Sequence, residues 1–300
     1  MNGASGLLGA ELRRFFMRRV TRGAFAFGLA LSTLVLVIIT VRSDIRTVSR
    51  SSISQVCSAP TGVPGPTTPG VFPNDCTTRV TVEKTHEDHR LKIGSTYSGT
   101  IKGTGVAMVF LAFIIGSSFI GAEFAVGSLG SQLVFEPRRA RVIAAKAVAV
   151  AIGLALLAIA LLLYIGILQL AGSSLRGVVH GLDASWFVGR VGDIGRVAAA
   201  VALAGTVAFA ITVVARRTVA AVAGLIVVAW VSAIVGQLDN WRWVAKYNPT
   251  SALISMAVNL QPTSNDRSGL TVRAATLSSC LWAVGLTIVA ATIFARREVR

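Results

Sequence analysis

The stretch AVAVAIGLALLAIALLLYIGILQLAGSSL, residues 147–175, contains no charged side chain. A helix needs roughly 20 mostly apolar residues to cross a bilayer core, so this run can cross once and still tilt or extend beyond the lipid. Its apolar residues are continuous rather than alternating, which excludes a strand of a membrane barrel. Five further stretches share the property: 24–41, 103–122, 197–215, 218–238 and 274–295. They predict an all-α integral membrane protein with six transmembrane helices.

Composition agrees. Of the 300 residues, 53% are hydrophobic and 14% are charged, against about 25% charged in a typical soluble domain. The formal net charge of +16 raises the question of nucleic acid. The bases are spread along the segments between apolar runs, without the aromatic interleaving of a nucleic-acid surface, so no nucleic-acid partner is expected. They set orientation instead. With the N-terminus inside, the inner segments 1–23, 123–146, 216–217 and 296–300 hold 14 Lys and Arg in 54 residues. The outer segments 42–102, 176–196 and 239–273 hold 15 in 117 residues. The inner density is about twice the outer, as the positive-inside rule requires. Both termini are then cytoplasmic, and the composition points to a multi-pass protein of a bacterial plasma membrane. Leu12-Arg13-Arg14-Phe15-Phe16-Met17-Arg18 resembles a twin-arginine export signal, but five more apolar runs follow and no small-x-small site ends the first, so it reads as an uncleaved span.

Between the spans, four segments are informative. In 1–23, Leu8, Leu12, Phe15, Phe16 and Val20 share one helical face, while Glu11, Arg13, Arg14 and Arg18 lie elsewhere, predicting a basic amphipathic helix on the inner leaflet. The loop 42–102 is the largest non-membrane part. Residues 77–84 and 90–97 alternate with β-branched residues around the polar THEDH, predicting a β-hairpin. Cys57 and Cys76 fall in the same outer loop, where the oxidising compartment predicts a disulfide between them. Cys280, in the sixth span, reads as a packing residue. The segment 239–273 opens with Trp241, Trp243 and Tyr247, an interfacial aromatic belt. After Asn248-Pro249 it continues into TSALISMAVNL, a short re-entrant helix over 250–260. In the fourth span Ala200, Ala204, Ala208 and Thr212 form a small-residue ridge suited to close helix packing.

Catalytic and cofactor signals are weak. His86-Glu87-Asp88-His89 lies in a polar turn at i, i+3 rather than the helical i, i+4 spacing of a zinc site, so no metal is expected. There is no Walker A pattern, no nucleophile–histidine set and no paired carboxylate in an apolar context. The spans carry no Asp, Glu, Lys, Arg or His, which argues against a proton-driven carrier. An enzyme is not expected, nor a cofactor bound to this chain.

The segment between the second and third spans, GAEFAVGSLGSQLVFEPRRARVIAAK over 121–146, is the most distinctive. Gly127-Ser128 breaks the exit of the second span. Residues 128–136 read as a short helix ended by Pro137, presenting Leu133-Val134-Phe135. Arg138, Arg139, Arg141 and Lys146 lead into the third span. This pattern resembles the permease subunits of type-2 ABC exporters: Glu123, then Gly127-Ser128-Leu129, then Pro137, Arg139 and Lys146. The family often has Pro-x-Ser-Arg where this chain has Pro137-Arg138-Arg139. The layout of an interfacial N-terminal helix, six spans and a short Pro-led helix before the last is similar too.

The resemblance implies a permease subunit, as a homodimer with a second copy in membrane lipid. It implies a separate ABC ATPase that carries ATP and Mg and docks on 123–141 and the N-terminal helix. Glu123, Gly127, Ser128, Leu133, Phe135, Pro137, Arg138 and Arg139 would couple the two, with Glu123 pairing with Arg138, Arg139 or the partner. The scattered polar residues of the spans (Ser117, Ser118, Thr206, Thr212, Ser232, Gln237, Ser278 and Ser279) suit an amphipathic, lipid-like or drug-like substrate. The competing readings are a non-transporting membrane anchor or sensor whose outer loop binds a ligand, and a passive channel or ion-coupled carrier.

Overall fold

A computed structural model describes residues 2–42, 45–57, 76–88, 93–135, 139–176, 183–235, 238, 242–258 and 270–296. Among the described residues the chain forms ten helices and one pair of strands. In chain order these are α1 (Asn2–Met17), α2 (Arg19–Arg42), β1 (Ile45–Cys57), β2 (Cys76–Asp88), α3 (Ile93–Val126), α4 (Ser128–Phe135), α5 (Arg139–Arg176) and α6 (Ala184–Ala215). Then follow α7 (Thr218–Val235), α8 (Arg242–Tyr247), α9 (Pro249–Val258) and α10 (Val272–Arg296). Five helices, α2, α3, α5, α6 and α10, are long and apolar enough to cross a membrane. The chain is a multi-pass membrane protein built almost wholly of helix.

Several boundaries differ from the sequence expectation, for one reason. The apolar run measures the part of a helix that lipid covers, and these helices continue beyond it. Helix α3 begins at Ile93, ten residues before the uncharged run at 103, and spans 34 residues. At about 1.5 Å per residue that is roughly 50 Å, well beyond a bilayer core of about 30 Å. Helix α5 begins at Arg139 rather than 147, and α6 begins at Ala184, inside the segment assigned to an outer loop over 176–196. Asp183 starts α6 as its N-cap, accepting from the Trp186 N–H at 3.1 Å, which satisfies one of the orphan amides of the first turn.

The expected hairpin of 77–84 with 90–97 does not form. Residues 93–97 belong to α3, and β2 pairs antiparallel with β1 from Ile45↔Asp88 to Cys57↔Cys76. His86, Glu87 and Asp88 therefore lie in β2 opposite Thr47, Arg46 and Ile45 rather than in a turn. His89 lies outside the described residues.

Helix α6 is the centre of the bundle. Ala200, Ala204, Ala208 and Thr212 are all fully buried, and Thr212 returns its hydroxyl to the Ala208 carbonyl at 2.7 Å. Close approach is enforced at two glycines. A Cβ on Gly116 of α3 would run into the Gly205 carbonyl of α6, and a Cβ on Gly205 would run into Leu154 of α5. Helices α3 and α6 thus meet at backbone distance, with the Leu154 side chain of α5 filling the space over Gly205, and small residues supply packing where the hydrophobic driving force is missing. Outward-facing positions such as Leu34, Phe110, Leu163, Trp230 and Leu281 remain exposed, as lipid-facing residues must.

The chain reverses between α6 and α7 in two residues. Arg216 adopts the left-handed conformation (φ 56°) and its N–H bonds the Thr212 carbonyl at 2.8 Å, closing the helix as an αL cap. Asn248 caps α9 through its Oδ1 and the Ser251 N–H at 2.8 Å, with Pro249 at the first helical position, the favoured place for both residues. Helix α9 is largely buried and packs against α3, α6 and α10. Trp243 and Tyr247 are exposed beside it, while Trp241 lies outside the described residues.

Candidate functional site

The chemistry of the molecule concentrates where α1, the end of α3 and the start of α5 meet. Lys146 is fully buried, and its Nζ lies 2.9 Å from Glu11 Oε2. The same ammonium is 2.9 Å from Glu123 Oε2 and 3.1 Å from Oε1. Only the Oε1 contact is aligned as a hydrogen bond; Oε2 is close in distance but receives no aligned donor. Arg18 reaches Glu123 from the other side, Nη2 to Oε1 at 2.9 Å, and donates Nη1 to the Ser118 carbonyl at 3.2 Å. Arg14 bonds Glu11 Oε1 at 3.1 Å from the exposed edge. Two carboxylates are thus shared among three cations.

Aromatic residues complete the node. The Arg18 guanidinium sits 4.4 Å from the Phe119 ring centroid and the Lys146 ammonium 5.7 Å from it, within range of the attraction between a cation and a ring face. Phe15 packs on Phe119 with centroids 5.7 Å apart. Its ring lies over Gly153, where a Cβ would come within 2.5 Å of it. Glu11 and Phe15 are four residues apart on one face of α1, and Lys146 and Gly153 are seven apart on one face of α5. The two faces match: charge meets charge one turn before ring meets notch. Burial lowers the Arg18 pKa from its ordinary value, while Glu123 and Glu11 act in the opposite direction.

The energetics of such a node are asymmetric. Taking charges out of water costs several kcal/mol per ion, which close pairing offsets. Removing one partner then costs about 3–5 kcal/mol, because the remaining charge stays buried without compensation. The node therefore fixes one arrangement of three helices more than it adds net stability.

This arrangement corrects two expectations. Glu123 is held by Arg18 and Lys146, both within the chain, rather than by Arg139; Arg138 lies outside the described residues. Nor is the bundle free of buried ionisable groups: Glu11, Glu123 and Lys146 are all buried. Counting charges in apolar runs misses them because Glu123 and Lys146 stand just beyond such runs and Glu11 lies on α1, well before the first run at 24, and a helix can carry a charge inward where another helix supplies the counter-ion. The buried face of the N-terminal segment also differs from the apolar one expected. Phe15 is buried as expected, but Glu11 is buried beside it while Val20 is exposed. The helix breaks at Arg18, where α1 gives way to α2.

The loop between α3 and α5 leaves directly from this node. Gly127 takes the left-handed conformation (φ 71°) and its N–H bonds the Phe124 carbonyl at 3.3 Å, ending α3 as a glycine does without Cβ penalty. Helix α4 then runs from Ser128 to Phe135. Leu129 anchors it in the core, while Val134 is 79% exposed. The backbones of Leu133 and Phe135 lie in α4, and their side chains lie outside the described part of the structure, as do Glu136, Pro137 and Arg138. Arg139 is the first residue of α5 and half-buried. Among the described residues no group of three or more His, Cys, Asp or Glu is placed to hold a metal ion. No protein-family model matches this sequence, and no curated protein matches it.

Proposed function

We propose that the chain is the membrane subunit of an ATP-driven exporter of the type-2 ABC kind, moving an amphipathic, lipid-like or drug-like substrate. A separate ATPase carrying ATP and Mg would dock on α4, and a second copy of this chain would complete the pathway. The observation that supports this most is the position of the charge node. Glu123 and Lys146 stand on either side of the segment bearing α4, and Glu11 and Arg18 tie the N-terminal helix to both. A force applied to α4 would move α1, α3 and α5 together rather than bend a loose loop. The finer assignments belong to the same reading: α7 as a sixth span, α9 as a re-entrant element, termini on the cytoplasmic side of a bacterial plasma membrane, and a disulfide between Cys57 and Cys76.

The register of β1 and β2 supports the disulfide. Cys57 and Cys76 are directly opposed as the last pair of the ladder, and opposed residues in antiparallel strands have Cα atoms about 4.5–5.5 Å apart, within the range a disulfide spans.

The test is to solubilise the protein from its native membrane in several mild detergents and identify what accompanies it by mass spectrometry. An ATPase at equal stoichiometry, lost when Leu133 and Phe135 become Ala, supports the reading. Recovery without an ATPase in every detergent overturns it in favour of a membrane anchor or sensor that acts through the strand pair.

A further inference from the structure

A second site lies at the opposite end of the bundle from the charge node. Helices α2, α3 and α5 enclose a cavity of about 270 Å³, at the small end of the range for ligand pockets. On α3 its wall runs from Thr100 to Leu111, on α5 from Leu161 to Gln169, and on α2 from Phe27 to Ile39. At about 1.5 Å per residue the α3 wall is roughly 16 Å long. Its lining contains no charged residue. Helix α2 is seated loosely, with only 6% of its most apolar window buried, so the groove is bounded on one side by a helix that faces lipid.

The polar residues of the lining are Ser32, Thr100, Thr104 and Gln169, and one group among them, on Gln169, is buried and unpaired. Gln169 is 2% exposed, and its Nε2 donates to Thr100 Oγ1 at 2.6 Å. The Thr100 hydroxyl gives its own proton to the Thr96 carbonyl at 3.0 Å, so it can only accept from Gln169. In this arrangement Gln169 Oε1 is an acceptor that no donor among the described residues reaches. A buried acceptor without a donor has lost its hydrogen bond to water and gained nothing in return. The polar Ser32 on the α2 wall is already satisfied by the Gly28 carbonyl at 2.7 Å. The groove thus offers one open buried acceptor at its Thr100–Gln169 end and an uncharged, mostly apolar wall along the rest of its length.

From this we infer that the α2–α3–α5 groove binds a neutral single-chain amphiphile, its hydroxyl or amide N–H donating to Gln169 Oε1 and its acyl chain lying along Gly103, Ala107 and Leu161. A charged headgroup has no counter-ion there, and a chain without a donor leaves Oε1 unsatisfied. The site stands apart from the transport reading, because it needs neither an ATPase nor a second copy of the chain.

The test uses the full chain in lipid nanodiscs with a monoacylglycerol carrying a photoactivatable diazirine in its chain. Labelling is expected in peptides covering 27–39, 100–111 and 161–169. Excess unlabelled monoacylglycerol should compete, and the corresponding fatty-acid methyl ester, which has no donor, should compete at least tenfold less well. Gln169→Leu should abolish that difference. Gly103→Leu should reduce labelling at least fivefold, because a Cβ there meets nothing within 4 Å and the new side chain fills open space. If Gly103→Leu does not fold, Ala107→Leu on the same wall replaces it. Labelling spread equally over α7 and α10, equal competition by the methyl ester, or labelling unchanged in the groove-filling variant would each overturn the inference.

Discussion

Lys146 Nζ lies 2.9 Å from Glu11 Oε2, across 135 positions of sequence, with both side chains at most 2% exposed. The contact turns an N-terminal segment that could rest on the lipid surface into a strut of the bundle. Phe15 in the Gly153 notch locks the same pair of helices one turn away. The two contacts are of different kinds, so they can be tested separately.

Lys146→Met should destabilise the fold by about 3–5 kcal/mol, since Glu11 and Glu123 would stay buried against too little positive charge. The triple variant Lys146→Met, Glu11→Gln, Glu123→Gln removes the uncompensated buried carboxylates, though Arg18 then loses its carboxylate partner, and should recover part of that loss. Thermal unfolding in one detergent compares them. A triple variant less stable than Lys146→Met alone would show that the charges contribute net stability.

Gly153→Val should displace Phe15 and loosen α1 while leaving the ion pairs chemically intact. Phe15→Ala removes the ring from the other side and should cost about 3–5 kcal/mol, as large aromatic deletions in packed sites do. Hydrogen exchange over 8–17 should rise in both variants. No change in either would mean that the charge node alone holds α1.

Glu123→Gln should retain expression and fold in part, since Glu11 still compensates Lys146, but it loses its charge-assisted bond to Arg18. On the exporter reading, ATPase stimulation by substrate should fall at least tenfold while ATPase docking persists. Stimulation equal to the parent chain would remove Glu123 from the coupling path.

Asp183 is held below the usual carboxylate range by hydrogen bonds from the Ser185 hydroxyl and the Trp186 N–H. A carboxylate with a lowered folded pKa contributes stability above its unfolded pKa and loses it as pH falls through the folded value. Exchange protection at 184–187 should therefore be constant at neutral pH and decline as the medium is acidified below the normal carboxylate range. Asp183→Asn, which can still cap the helix, should flatten that decline.

Cys57 and Cys76 should resist alkylation in the oxidised protein and react after reduction. Proteolysis between them should leave the two halves joined only under non-reducing conditions. Alkylation of both thiols without reductant would disprove the bridge.

The apolar runs fixed the class of this protein from sequence alone. Helix formation in lipid is a local matter: every backbone group must be satisfied within the segment, so length and hydropathy suffice. The break at Gly127 and the short helix after it, expected over 128–136 and found over Ser128–Phe135, were legible for the same reason, since glycine acts on its immediate neighbours; the connection at 216–217 was visible only as the gap between two apolar runs. The burial of Ala200, Ala204 and Ala208 follows the four-residue spacing of the α6 face.

Tertiary structure decided what depends on distant partners. Glu11 has a local partner in Arg14, but its burial depends on a lysine 135 residues away that is itself fully buried. Glu123 likewise meets Arg18, 105 positions away in sequence, because α1 is packed beside the end of α3. The pairing of β1 with β2, rather than of two adjacent alternating runs, rests on a register between segments separated by 18 residues. Helix ends beyond the apolar runs were not read from the runs, because a charge ends the lipid-covered run without ending the helix, as the Arg190–Asp193–Arg196 pairs inside the first turns of α6 show.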